Sequence, residues 1–328
     1  MNNELVRNIS EKEIPFSKKQ LLYSLIKIII AAGLILFIIN KIKPKEILSA
    51  FNSANHYLII LAFFLSFFNL YFQYLKWETV CHNYLDIHSK KKILISLFQG
   101  FAAGIFTPAR IGEYFSRGLA MKEKPVFQVA TATFIDKFFP LIIVSFFGGI
   151  SSVLFFYYNH LFPLYITIPI FFLILIFLLT FLYLLIKGKI LSYVPAGIRQ
   201  NKKFGKVFLN IEQLADLNFS FIKRMLFISA AFYFWLLLQF AVLIAAFAHG
   251  FHLLEYLWNG SLIMFAKSVI PQLSLGDLGI REGFTIYFYN KSGIAASTSF
   301  DASFFLFLIN LVFPSLVGLI LRYKKNND

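Results

Sequence analysis

Phe106-Thr-Pro-Ala-Arg-Ile-Gly-Glu113 is the stretch on which the reading of this chain turns. It closes an apolar run, residues 93–106, that is too short to cross a hydrocarbon core of ~30 Å. Pro, Gly and ionisable groups follow at once. Ile270-Pro-Gln-Leu-Ser-Leu-Gly-Asp-Leu-Gly-Ile-Arg-Glu-Gly283 repeats the pattern in the second half. A charged side chain at membrane depth costs roughly 2.5–3.5 kcal/mol on insertion scales, so it persists where pairing or function holds it. Two interrupted apolar segments, one in each half, are the sequence sign of a binding site near the bilayer centre.

The surrounding sequence is built for lipid. The chain is 59% hydrophobic and 14% charged, with 43 Phe in 328 residues, which excludes an ordinary soluble domain. Runs 21–40, 57–75, 163–186, 225–248 and 304–321 each supply about 20 mostly apolar residues, enough for a crossing. Residues 126–150 are also long enough but carry Asp136, Lys137 and Pro140 inside. The single cysteine, Cys81, excludes an intramolecular disulfide framework and is expected near the cytoplasmic face.

A net charge of +15 is compatible with nucleic acid, but its distribution is that of a membrane protein. Loop 187–224 is basic, the connection 76–92 holds Lys76, Lys90 and Lys92, and Arg322, Lys324 and Lys325 lie in the tail. Connections 151–162 and 292–300 hold no Asp, Glu, Lys or Arg. This is the positive-inside asymmetry, so both termini are expected in the cytoplasm and no nucleic-acid partner is expected. The basic stretch 41–56, placed outside, is the exception.

The expected fold is therefore an all-α polytopic membrane protein. Residues 1–20 form a cytoplasmic tail and 21–325 a single transmembrane domain. It has about six transmembrane helices plus two oppositely oriented re-entrant helical hairpins, about 93–125 and 257–292. Such backbone is tolerated only where protein or a wet cavity surrounds it, so the two hairpins should meet centrally. An inverted repeat follows as a hypothesis; eight plain crossings are the alternative. Residues 207–215, within the basic loop, read as an amphipathic surface helix.

Arg110, Glu113 and Arg117 recur at i, i+3 and i+7 on one helical face, with Pro108 and Gly112 as hinge residues. Pro108 suits the first turn of a helix, whose N-terminus beside Arg110 would favour an anion. Asp136 and Lys137 fall ~16 Å into their span and point about 100° apart, so each needs a partner elsewhere, for example Asp136 with Arg110 or Arg117. Pro140 is expected to kink that helix. In the second stretch Lys267, Asp277, Arg281 and Glu282 supply charge. There Pro271, Gly276 and Gly279, with Gly283, allow a tight turn and close approach. Structural ion pairing is the competing role for all of these. No Walker, zincin or nucleophile-elbow motif occurs, so no cofactor and no metal are expected.

The ordered set Thr107-Pro-x-Arg-x-Gly-Glu113, Arg117, the mid-span charged pair, Pro271, Gly276-Asp-Leu-Gly-x-Arg-Glu282 and Gly293 resembles the lysylphosphatidylglycerol synthase transmembrane-region family, also described as flippase-like membrane proteins. Two departures are visible. Asp136-Lys137 stands where the family has Glu-Arg, and Asp277 stands where the family's turn has a second Gly. The resemblance implies a protein of the plasma (inner) membrane that moves an anionic or zwitterionic lipid headgroup between leaflets, with a membrane phospholipid or other polar lipid as partner. An intramembrane lipid-modifying transferase using Glu113 or Glu282 as base, or a non-catalytic partner subunit of a lipid-synthesis enzyme, are the alternatives. The 328 residues leave no room for the family's soluble aminoacyl-transferase domain, so lysyl transfer is not expected and an enzyme is the lesser expectation.

Overall fold

A computed structural model describes residues 44–105, 107, 110–186, 218–248, 250–270 and 279–327. The expected tail 1–20, the run 21–40 and the surface helix over 207–215 lie outside them. Every element among the described residues is helical: α1 Pro44–Ser53, α2 His56–Val80, α3 Lys90–Ile105, α4 Ile111–Ala120, α5 Val126–Tyr158 and α6 Leu164–Ile186. Then follow α7 Phe219–Ala248, α8 Leu253–Val269, α9 Ile280–Lys291, α10 Ala296–Phe307 and α11 Phe313–Asn327. Among the described residues, four helical stretches are long and apolar enough to cross a membrane: His56–Leu85, Val126–Tyr158, Phe219–Ala248 and Ala296–Leu321.

These stretches run longer than hydropathy alone indicates. The helix of Val126–Tyr158 passes unbroken through Pro140 and absorbs most of the connection expected over 151–162. Residues 219–224, expected in the basic loop, form the first turns of α7. The connection 41–56 is mostly helix, because α1 fills it. Lys76, expected in a cytoplasmic loop, is 5% exposed inside α2. The long helices end where capping chemistry permits. Asn55 Oδ1 accepts from the Tyr57 and Leu58 amides at 3.1 and 3.3 Å, so α2 starts there. α2 ends through a π-helical turn, Cys81–Leu85, at Asp86, whose φ of 52° breaks the helix.

The core is an aromatic-aliphatic packing between α2, α7 and the helices around them. Tyr233, Phe240, Leu243 and Ile263 are essentially sealed within one cluster, while Trp77, Leu85, Ile93, Leu97 and Met225 form a second. Cys81 belongs to the second and has zero exposure, so it is a core residue and no reporter of sidedness. Asn55 ties the start of α2 to the end of α7, its amide donating to the Ala246 carbonyl at 2.8 Å. Outside the core, α6 leaves Leu173, Ile176 and Phe177 exposed, as a lipid-facing helix does.

Close helix approach is concentrated where α11 lies on α3. A Cβ on Gly318 would run into the Phe98 carbonyl, and there is no side chain to move aside. Gly283, by contrast, has open space around its Cβ position, so the close approach expected there is absent. Gly318→Ala is therefore expected to destabilise the protein by about 1–3 kcal/mol. Gly283→Ala, within α9, is expected to stabilise it by about 0.5–1 kcal/mol. Thermal melts of the two variants in detergent, run beside the parent, check both signs.

Candidate functional site

The first charged stretch is a helical turn folded back on itself. Thr107 Oγ1 accepts from the Gly112 amide at 2.8 Å and donates to the Ala103 carbonyl at 3.0 Å. That clasp presses α4 onto α3. A Cβ on Gly112 would stand 2.5 Å from the Ala103 carbonyl, so only glycine fits. α4 begins at Ile111, later than the sequence indicates, with Arg110 in a left-handed conformation just before it. The helix N-terminus expected at Pro108 is thus displaced beyond it; Pro108 itself lies outside the described residues.

α4 then projects Glu113 and Arg117 inward, where α5 supplies Asp136 and Lys137. Glu113 Oε2 meets Lys137 Nζ at 2.7 Å and the Arg110 guanidinium at 3.0 Å, and its Oε1 meets Arg117 at 2.6 Å. Arg117 also reaches Asp136 at 3.0 Å. Lys76, from α2, approaches the other Asp136 oxygen at 3.4 Å and the Asp136 carbonyl at 3.3 Å. The Arg117 guanidinium lies 4.3 Å over the Trp77 ring, whose Nε1 donates to Ser96 Oγ at 2.8 Å. Glu113, Arg117 and Asp136 are sealed. Arg110 and Lys137 keep side-chain exposures of 23% and 30%.

The second stretch is arranged on its own terms. Gly279 has a φ of 87°, a conformation that a side chain disfavours, and its amide donates to Glu282 Oε2 at 2.7 Å to start α9. Glu282 Oε1 accepts from Arg281 at 2.7 Å and from Ser303 Oγ at 3.2 Å. Arg281 Nε donates back to Ser303 at 3.1 Å, closing a triangle between α9 and α10. Pro271, Gly276 and Asp277 lie outside the described residues.

The two stretches converge. Arg110, Glu113 and Lys137 from the first half and Lys267 and Arg281 from the second line one cavity of about 260 Å³. Four further lining residues were not singled out from sequence as site residues. Asn69, Gln73 and Lys76 stand at i, i+4 and i+7 on one face of α2, and Asn310 lies in the π-helical turn Leu308–Val312. The spacing on α2 was readable, but Lys76 falls one residue past the apolar run and reads as loop charge. Asp301, on α10, is buried at 4% exposure with its Oδ2 unpartnered among the described residues; it reads as an interface residue because the apolar run starts just after it.

A helical integral membrane protein whose two charged stretches contribute side chains to one ionic cavity is the class that fold and site define. Within that class, the chain belongs to the lysylphosphatidylglycerol synthase TM region family, whose sequence profile matches residues 24–318. No curated protein and no solved structure matches it.

Glu113 carries the greatest structural consequence, since its removal takes a buried counter-charge from three cations, of which Arg117 alone keeps a second carboxylate in Asp136. Glu113→Gln is expected to cost about 3–5 kcal/mol, the usual penalty for breaking a buried pair from one side. Lys92 and Glu123 form an exposed ion pair, so Glu123→Gln should change stability by less than about 1 kcal/mol. Chemical or thermal unfolding of the two variants tests the contrast.

Proposed function

We propose that this protein is a translocase for a polar lipid of the plasma membrane, holding an anionic or zwitterionic headgroup in the central cavity. The observation that carries this reading is the charge of the lining. Six cations (Lys76, Arg110, Arg117, Lys137, Lys267 and Arg281) line the cavity with two carboxylates, Glu113 and Asp136, among the described residues, and Glu282 stands against Arg281 at 2.7 Å. A lipid phosphate answers such an excess, because guanidinium and ammonium groups bind phosphate oxygens strongly when water is scarce. Arg110 and Lys137 are the partly exposed members, so they are the first contacts and the sealed ones set the field behind them.

In this reading the short helices are two opposed re-entrant hairpins. By helical rise α3 and α4 reach only ~24 and ~15 Å, and α8 and α9 only ~26 and ~18 Å, short of a ~30 Å core. The order of long helix, short pair, long helix occurs twice, as α2, α3–α4, α5 and as α7, α8–α9, α10–α11, which supports an inverted repeat and six crossings with both termini inside. Each hairpin would gate one side of the cavity. The state of the carboxylates favours binding over transfer chemistry: Glu113 is held by three cations and Glu282 by Arg281, Ser303 and the Gly279 amide, so neither is poised as a base.

Reconstitution into vesicles with a fluorescent anionic phospholipid tests the reading. Arg110→Gln and Lys137→Gln should each slow leaflet exchange about tenfold or more, the factor expected for one lost hydrogen bond to a charged group. Exchange no faster than in protein-free vesicles, or unchanged by both substitutions, would overturn it.

A further inference from the structure

Asp301 lies inside the apolar stretch Ala296–Leu321 at 4% exposure, and its Oδ2 has no hydrogen-bond partner among the described residues. Helix geometry gives its surroundings. Thr298 and Phe305, at i−3 and i+4, share its face of α10. Thr298 Oγ1 donates to the Phe247 carbonyl at 3.5 Å, and the Phe305 ring lies 5.5 Å from Phe247 and 5.6 Å from Phe51. Asp301 is thus set towards the last turn of α7 and the flank of α1, in an aromatic contact. The last turn of α7 is also the negative end of its dipole, where carbonyls lack intrahelical partners, so a carboxylate there meets repulsion.

Among the described residues, no charge on the neighbouring elements answers this carboxyl. On α1, Lys45 and Glu46 are exposed. On α9, Arg281 and Glu282 are held at Ser303, about 200° around α10 from Asp301, while Lys291 is exposed and Tyr289 gives its hydroxyl to the Tyr256 carbonyl. His56, stacked on Phe51, turns its Nδ1 to the Ala54 carbonyl. Residues 225–248 of α7 contain no acid, base or histidine. No cluster of acids, His and Cys that would hold a metal ion gathers among the described residues either. A buried carboxylate without a cation is costly, and a proton is the simplest remedy.

We propose that Asp301 is a proton-binding site, and that α10 packs against α1 and α7 only while the proton is bound. Loss of the proton puts a charge into an aromatic contact, and water must enter to solvate it, so α10 parts from its neighbours. The opposite face of the same helix carries Ser303, which holds Arg281 and Glu282. Movement of α10 therefore reaches the wall of the central cavity, whatever that cavity binds. The site is separate from the ion pairs around Glu113, and it does not depend on the translocase reading.

Two measurements on the full chain in lipid nanodiscs test this. Leu48→Cys on α1 and Ala295→Cys, just before α10, place spin labels at exposed positions, and the sealed Cys81 stays unlabelled. Their separation should lengthen by about 3 Å, one water diameter, as pH rises from about 5 to about 9. Asp301→Asn keeps the shape and cannot ionise, so it should hold the short separation throughout. A separation that does not respond to pH with Asp301 in place overturns the proposal. So does a response that persists in Asp301→Asn, which would assign it to Glu46, His56 or another group. Dicyclohexylcarbodiimide reads the proton itself, because the carboxyl proton moves to a reagent nitrogen as the carboxyl oxygen adds to its central carbon. It should modify Asp301 at the acid end of the range, less as pH rises, and spare the cation-held Glu113 and Glu282. Asp301 left unmodified at the acid end, or modified equally at both ends, overturns the bound proton, and that readout needs no variant.

Discussion

One carboxylate organises the first half of this molecule. Glu113 is sealed from solvent and meets Arg110, Arg117 and Lys137 within 3.0 Å. In a low-dielectric interior such a group is tolerated only when paired and hydrogen-bonded, so its partners are constrained as tightly as a core side chain is. The constraint passes outward along the pairs. Arg117 reaches Asp136, Asp136 reaches Lys76, and helices α4, α5 and α2 are thereby held in one register. Even the glycine requirement at position 112 descends from it, since α4 must lie close on α3 for Glu113 and Arg117 to point at α5.

The second half meets the same electrostatic demand with fewer charges and more neutral groups. Arg281 and Glu282 are sequence neighbours, and a hydroxyl, Ser303, completes what a third charge completes on the other side. The amides of Asn69, Gln239 and Asn310 continue this neutral wall, joining α2 and α7 to the π-helical turn before α11. A cavity bounded by a charged wall and a neutral one is polarised.

Sequence reading captured what depends on composition and local spacing, and lost what depends on tertiary contact. Long apolar runs identify α2, α5, α7 and the α10–α11 pair because burial in lipid needs only length and hydropathy. The i, i+4 pair of Glu113 and Arg117 is a local fact of helix geometry, and the need for an opposite charge opposite Asp136 follows from depth alone. Lys76 was not legible as a site residue. A lysine at the end of an apolar run reads as a membrane-surface charge, and only the approach of Asp136, 60 residues away, shows otherwise. The late start of α4 escaped for a related reason. Proline favours the first turn of a helix, but Thr107 and Gly112 clasp the chain after it, and Arg110 adopts a left-handed turn to satisfy them. Asn69, Gln239 and Asn310 are polar residues scattered among Phe and Leu, and nothing in their spacing reveals that they share hydrogens.

The division between sealed and exposed charges bears on how such a site can both hold and release. Arg117 and Asp136 are buried in mutual contact, so their pairing energy goes into fixing the scaffold and is unaffected by a ligand. Arg110 and Lys137 both lean on Glu113 Oε2, sharing one oxygen between two cations. In the proposed function, an anion entering the cavity would compete with that oxygen for cations already positioned, so it would gain attraction without the cost of ordering them. The same carboxylate takes the cations back when the anion leaves. In the translocase proposed above, a shared counter-charge of this kind would keep the bound state shallow, because a site that held phosphate without a competitor would trap it midway.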